Sequence, residues 1–490
     1  MKRLALVLAI ASVSLSSSGA WAGGFEFPDN GTEALGRGGA FTAKADDATA
    51  LEYNVAGLAR QRGTRLLLDA NLVFDTYEFQ RSGAFPDNPS DPATPYGGQP
   101  FPKVANRGGP FFAPFFGIST DLGLFDRWTF SVGAYGPSSY GSRNYPITVD
   151  GKPAASRYDV GSTNLLIIYP TLAAAVRVTK WLDLGLALHL VVGSFNFASV
   201  AFVDTGRSQC PNVEYAPCDS TTTLSVTGVT ATASLGAMFH ATPALSIGVN
   251  VRGPAEIHAT GTASGTPPIK NPIPIEPDRA SLDTKLPWVV RLGVRYAFLK
   301  GAFERGDVEL DGTYEAWHEA EGDGDHVNIP NLAIFSNITP TLTHHYKDTY
   351  SVRAGGAYHF ELPAGVLTLR LGVFYDSSAT NDADTRLDFD TLAKVAPTAG
   401  IGYQVRGVSI NLGYAYLWTP DRNVTNGDIQ PINPVQMGSG NSSTFDKQGN
   451  PIPLPPVNNG FYHGAIQILS IGLTVNWDEA LRKKRVIRYQ

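Results

Sequence analysis

Seven ionisable residues fall at one parity of consecutive alternating segments. They are Arg291 and Arg295, then Asp307, Glu309 and Asp311, then Arg353 and Arg370. Alternation turns all of them away from the apolar face, so they share an interior. Two kinds of chemistry suit such a set. Cross-strand ion pairs would knit a polar interior together. Alternatively, one or two arginines are held for a ligand carboxylate, which a guanidinium grips through parallel hydrogen bonds.

Catalytic chemistry finds less support. The chain carries no HExxH, P-loop, C-x-x-C or GxSxG pattern, so no enzyme is expected. A phospholipase on a barrel would need Ser, His and an orienting polar group on the outer wall. Parity turns His189 and His359 inward instead. His344-His345 has no cysteine nearby. Glu319, Glu321, Asp323 and Asp325 form an acidic run with two glycines. A solvated loop or a Ca²⁺ site both fit that run, though EF-hand spacing is absent. Cys210 and Cys218, in a Pro/Asn/Ser-rich stretch, are expected to form a disulfide if exported; a metal pair is the rival, without a histidine beside it. No metal or cofactor is expected.

What must position these residues follows from composition and period. The 490 residues are 43% apolar or aromatic and only 17% charged, with 51 glycines. Length alone suggests about three soluble domains, but no linker divides the chain. A net charge of −6 argues against nucleic acid as a partner. After the first 20 residues no apolar run is long enough for a membrane helix. Residues 1–22 read as a cleaved secretory signal: Lys2 and Arg3, an apolar run from Leu4, and Ala20-Trp21-Ala22.

From residue 64 onward the dominant signal is alternation. Leu182, Leu184, Leu186, Leu188 and Leu190 interleave with Asp183, Gly185, Ala187 and His189. Fourteen such segments are expected, at 64–80, 110–122, 127–139, 162–178, 181–199, 221–240, 244–262, 278–300, 305–320, 345–360, 365–378, 386–405, 407–420 and 460–477. Connections alternate between tight turns and longer loops, the longest being the 39 residues Asp421–Asn459. That pattern predicts an all-β, fourteen-stranded antiparallel transmembrane barrel at 64–477, with turns in the periplasm and loops outside. The longer loops carry the Gly/Pro/Asn/Asp clusters expected to face water. Trp128, Trp181 and Trp477 fall at one set of strand ends, and Trp317 and Trp418 at the other, as two interfacial girdles would. A soluble β-sandwich does not explain the alternating loop lengths.

Residues 23–63 do not alternate. They are expected to fold into the lumen as a plug, since a fourteen-stranded barrel is too wide for side chains alone to fill. Residues 478–490 form a basic tail expected to lie in the periplasm.

The run Leu35-Gly36-Arg37-Gly38-Gly39-Ala40-Phe41, then Ala45-Asp46-Asp47-Ala48, then Asn54-Val55-Ala56-Gly57-Leu58, resembles the N-terminal hatch of the FadL family of outer-membrane long-chain fatty-acid transporters. Leu286-Pro287 and Trp317 are similar too. Val55 departs from the family's usual proline, and the basic tail extends past the usual terminal aromatic. The resemblance implies passive uptake of a long-chain fatty acid or other hydrophobic ligand by a monomer in the outer membrane. It implies that Phe25, in a Gly-Gly-Phe start, lies at the ligand pocket, and that interior basic residues meet a ligand head group. It also implies lateral exit to membrane lipid beside a kinked third strand. Here that strand runs into Gly133, Gly136 and Pro137, which suit either a gap in the wall or a strand ending at a loop. Aromatic-hydrocarbon uptake is the alternative within the family. A general porin and a structural surface barrel are the alternatives outside it.

Overall fold

The structure is a computed structural model, and it describes residues 30–136, 142–203, 210–270, 272, 277–301, 303–332, 335–338, 341–389, 391–431 and 455–478. The expected signal segment, Phe25, Pro137 and the tail from residue 479 lie outside the described residues.

Fourteen antiparallel strands close into a barrel. They are β1 Thr64–Arg81, β2 Phe111–Thr120, β3 Trp128–Tyr135, β4 Ser162–Arg177, β5 Leu182–Phe202, β6 Asp219–His240, β7 in two pieces (Leu245–Arg252 and Ala255–Gly265), β8 in two pieces (Asp278–Leu286 and Val289–Lys300), β9 Phe303–Glu315, β10 Thr349–Leu362, β11 Gly365–Asp376, β12 Lys394–Val405, β13 Val408–Trp418 and β14 Gly460–Asn476. The last returns to the first, with Leu68 opposite Leu473, which closes the sheet on itself. Leu184, Leu186, Leu188 and Leu190 of β5 face outward, while Asp183, Ala187 and His189 are buried inside. That is the alternation a lipid-facing wall requires.

Two strands expected to be continuous are broken. In β7, Arg252 and Ala255 are both buried, and so are Leu286 and Val289 in β8. Two intervening residues, rather than one, reverse the parity in each strand. The outward stripe Ile247, Val249, Val251 therefore continues as the inward stripe Ala255, Ile257, Ala259. In β8, outward Val290, Leu292 and Val294 continue as inward Leu286 and Leu282. The breaks occur at one level: Arg252 opposes Val289 and Ala255 opposes Leu286, which sets Pro254 opposite Pro287. Neither proline can donate to the ladder. Beyond the breaks the outer face carries Glu256, Asp283 and Lys285, charges that lipid would not tolerate, with the polar His258 among them. That part of the wall stands above the membrane, polar outside and apolar inside.

Strand β9 differs from expectation in a related way. It ends at Glu315, and Trp317 opens a short helix, α3 (Trp317–Glu321), which precedes a strand at Asp325–Leu332. Trp317 is buried at 3% exposure and donates its Nε1–H to Glu315 at 2.6 Å, so it is no girdle residue. Trp128, Trp181, Trp418 and Trp477 are exposed at strand ends. The long loops also depart from the water-facing picture. They bury two clusters, one around Phe85, Tyr96, Phe101, Tyr145 and Leu387, the other around Tyr158, Val213, Tyr215 and Cys218. Cys210 and Cys218 are joined by a disulfide in the second.

Candidate functional site: a hatch-filled lumen

The non-alternating segment lies inside the barrel. From residue 30 it forms α1 (Thr32–Gly36), α2 (Ala50–Tyr53) and a 3₁₀ turn at Val55–Arg60. These helices are too short to stand alone, so the wall must hold them. Three carboxylates of β9 do most of this. Arg37, wholly buried, pairs with Asp307 at 2.6 Å and Glu309 at 3.1 Å. The N–H groups of Phe41 and Thr42 donate to Asp311 at 2.9 and 2.8 Å, and that of Ala43 donates to Glu309 at 2.6 Å. Sequence reasoning placed these acids facing inward as partners for other strands; they chiefly grip the hatch.

The interior arginines divide. Arg370 pairs with Glu33 of α1 at 2.8 Å and also donates to Asn411. Burial would raise the Glu33 carboxyl, but Arg370, Lys44 and Arg37 outweigh it and hold the group at about 2. Arg291 pairs with Glu52 of α2 and donates to its carbonyl at 2.9 Å. Arg252, which the sequence reading did not single out, adds a 3.6 Å contact to Glu52. Arg295 holds Glu304 and Asp307. Arg353 is held more loosely, with Asp376 at 3.5 Å and Ser351 at 3.4 Å. Glu33 and Glu52 are two of several charges in the hatch, and nothing in their spacing marks them out.

The hatch motifs act through backbone and close packing. Asn54 accepts from Ala56 N–H at 3.1 Å while donating to the carbonyls of Thr42 and Ala237. Asp47 accepts from Thr49 N–H at 2.8 Å, and Asp46 pairs with Lys44 at 2.6 Å. Gly36 meets Gly400 of β12. A Cβ at Gly57 would stand 2.1 Å from the Ala45 carbonyl oxygen, and one at Gly372 of β11 would stand 2.2 Å from the Arg37 carbonyl carbon. Both sites admit only glycine without backbone movement.

Beside the hatch, among the described residues, β3 stops pairing with β2 before β2 ends. β3 pairs with β2 only from Ala134–Phe116 to Phe130–Thr120. Phe111–Phe115 of β2 keep their pairing with β1 but have no ladder partner on the β3 side among the described residues. On its other side the described pairing of β3 with β4 runs to Tyr135–Tyr169, and the next described pair is Ser142–Asn164. Hatch residues reach this place: Asn30 donates to the Gly136 carbonyl at 2.8 Å, and the Tyr135 hydroxyl donates to the Leu51 carbonyl at 3.3 Å. A Cβ at Gly133 would meet Leu51. Phe115, Tyr135 and Tyr169 form a row of rings, with His189 beside them bonded to Thr171 and Ser234 at 2.8 Å each. His359, also inward, bonds Thr368.

One apolar cluster includes Phe41, Leu51 and Leu58 of the hatch and continues through Leu165, Ile167, Phe195, Val226, Ile257, Leu282 and Val327 of the wall. The parity reversal of β7 and β8 supplies Ile257 and Leu282 to it. The acidic run does not converge on a point. Glu321 accepts the N–H groups of His344, His345 and Tyr346, and Asp323 pairs with His326.

A family description, outer membrane protein transport protein (OMPP1/FadL/TodX), matches residues 13–449. No curated protein matches the chain. Among solved structures, a Pseudomonas aeruginosa FadL homologue superposes with TM-score 0.69 at 15% identity, covering 93% of this chain and 100% of its own. The Pseudomonas putida toluene transporter TodX gives 0.64 at 18%, with 92% and 99% covered. The Ralstonia pickettii toluene transporter TbuX gives 0.63 at 15%, with 92% and 100% covered.

Proposed function

The chain belongs to the OMPP1/FadL/TodX family of outer-membrane transport proteins, and from that premise we propose that it takes up long-chain fatty acids or similar amphipathic molecules. It is an outer-membrane barrel for hydrophobic compounds; the cargo, the passive mechanism and the route are the proposal. The observation that carries it is the inside-out wall above the membrane. A long chain taken up among the apolar side chains there would be removed from water, gaining roughly 25 cal/mol per Å² of buried apolar surface. The hatch blocks straight passage below. Exit into periplasmic water would return that gain, whereas sideways exit into lipid keeps it. The stretch Phe111–Phe115 of β2, which has no β3 partner among the described residues, is the place where the wall would let it leave, with Gly133 and Gly136 at its edge. The barrel acts as a monomer in this reading.

A second cargo class, aromatic hydrocarbons, is favoured by one observation: Arg291, Arg295 and Arg370 are all paired with carboxylates, two of them on the hatch. Uptake of labelled oleate and labelled toluene by cells with matched barrel levels separates the readings. Accumulation of oleate supports the first, and toluene alone supports the second. Neither, together with steady conductance of salt, would leave a porin.

A further inference from the structure

Outside the lumen, three loops above the barrel bring together side chains that the transport reading does not use. His345 lies before β10, Asp384 between β11 and β12, and Asp428 between β13 and β14. One ligand-type atom from each lies within 4.8 Å of the others. The loops are fixed close by. Lys347 N–H donates to the Ala379 carbonyl at 2.8 Å, and Asp428 N–H donates to that of Ala383 at 3.2 Å. Asn458 bridges the Ala383 and Thr385 carbonyls at 2.7 and 3.1 Å. The three side chains are therefore held together by a frame independent of themselves.

The charges do not balance. The Asp384 side chain is 6% exposed, and its charged partner is the His345 imidazole, Nδ1 to Oδ1 at 2.5 Å. Two arginines on these loops are engaged elsewhere: Arg422 by Asp382 at 3.3 Å and the Thr385 hydroxyl, and Arg386 by Asp159 at 3.0 Å and Asp388 at 3.4 Å. Among the described residues, no lysine or arginine pairs with Asp384 or Asp428. Two carboxylates this close, one of them buried, repel unless a cation stands between them. The His345 side chain, 62% exposed, leaves the open side of the cluster to water.

We propose that His345, Asp384 and Asp428 form a binding site for one divalent transition-metal ion, of which Zn²⁺ is the type. One imidazole nitrogen and two carboxylate oxygens suit Zn²⁺ rather than Ca²⁺, which takes six or more oxygens. Water completes the coordination on the exposed side. On binding, the proton between His345 Nδ1 and Asp384 leaves to solvent, and the ion takes its place between them. The ion would clasp three outer loops together over the barrel mouth. Glu321 of the acidic run meets this site from behind, accepting the His345 N–H at 2.7 Å, and is not one of the three ligand groups.

The test uses the full chain in detergent, with any affinity tag removed. Calorimetric titration with ZnCl₂ is expected to show one site per barrel, with no matching heat from CaCl₂. H345A and D428N should each weaken Zn²⁺ binding by about tenfold or more, since each removes a direct ligand. H326A, at an exposed His–Asp pair outside the cluster, should leave it unchanged. Heat-modifiable gel mobility reports whether each variant is a folded barrel. D384N is left out of the decisive set because its carboxylate is buried. Absence of a Zn²⁺ site in the wild type, or equal affinity in folded H345A and D428N, overturns the proposal. Calcium binding that survives H345A overturns it equally.

Discussion

Asp307 holds Arg37 of the hatch with one carboxylate oxygen and Arg295 of the wall with the other, each at 2.6 Å. One residue of β9 thus joins the N-terminal segment to the cylinder. Removing one partner of a buried pair leaves the other charge stranded, at a cost of about 3–5 kcal/mol. D307N is expected to loosen the hatch while the barrel stays closed as a sheet. Single-channel recording in planar bilayers should show a quiet wild type, transient openings in D307N, and steady conductance when residues 30–60 are deleted. A wild type that already conducts as an open porin would contradict the plug.

The gate prediction concerns β3. Gly136→Val with Pro137→Thr should favour a continuous strand and close the wall beside β2. Uptake of labelled fatty acid is expected to fall in cells carrying matched amounts of folded barrel. Unchanged uptake would place the exit elsewhere and leave hydrophobic transport standing.

The disulfide closes a short loop, so its contribution should be local, about 2–3 kcal/mol on a chain-entropy basis. Alkylation of exported protein without reductant should leave both cysteines unmodified by intact mass. C210S with C218S should expose the loop to protease near Tyr215 without altering barrel mobility on gels.

Acidity should act on the hatch through Asp47. Burial, with Glu33 nearby, pushes its carboxyl up to about 7 from 3.8. A raised folded value means that stabilisation is complete below the unfolded value and is lost as pH rises through about 7. Hatch openings in wild type should therefore become more frequent between pH 5 and pH 8. D47N, unable to ionise, should show a flat profile over that range. A wild type as flat as D47N would exclude this residue as the source.

Much of this was legible because period two is a strong signal. Leu184 to Leu190 outward and His189 inward follow directly from it, as do the inward Asp307, Glu309, Arg353 and Arg370. Alternation could not say what the interior charges would meet, because Glu33 and Glu52 come from a segment without period. Nor could it reveal the reversals at Gly253-Pro254 and Pro287-Trp288. The apolar stripe is continuous in the sequence there, and only the backbone changes which side it faces. Trp317 misled for a related reason: a tryptophan at the end of an alternating run looks interfacial until the strand gives way to a helix.

The paired prolines have a consequence for the bilayer itself. Below them, β7 contributes only Leu245–Arg252, eight residues. At about 3.3 Å per residue and a tilt near 40°, that spans roughly 20 Å of height. A usual outer-membrane belt is about 25 Å tall. On the β7–β8 flank the protein is thus shorter than the hydrocarbon around it. Hydrophobic mismatch of this sign is met by thinning of the nearby leaflets or by leaning of the whole cylinder toward that flank. Lipid beside β7 should be the least ordered in the annulus, and the barrel should not stand upright in its membrane.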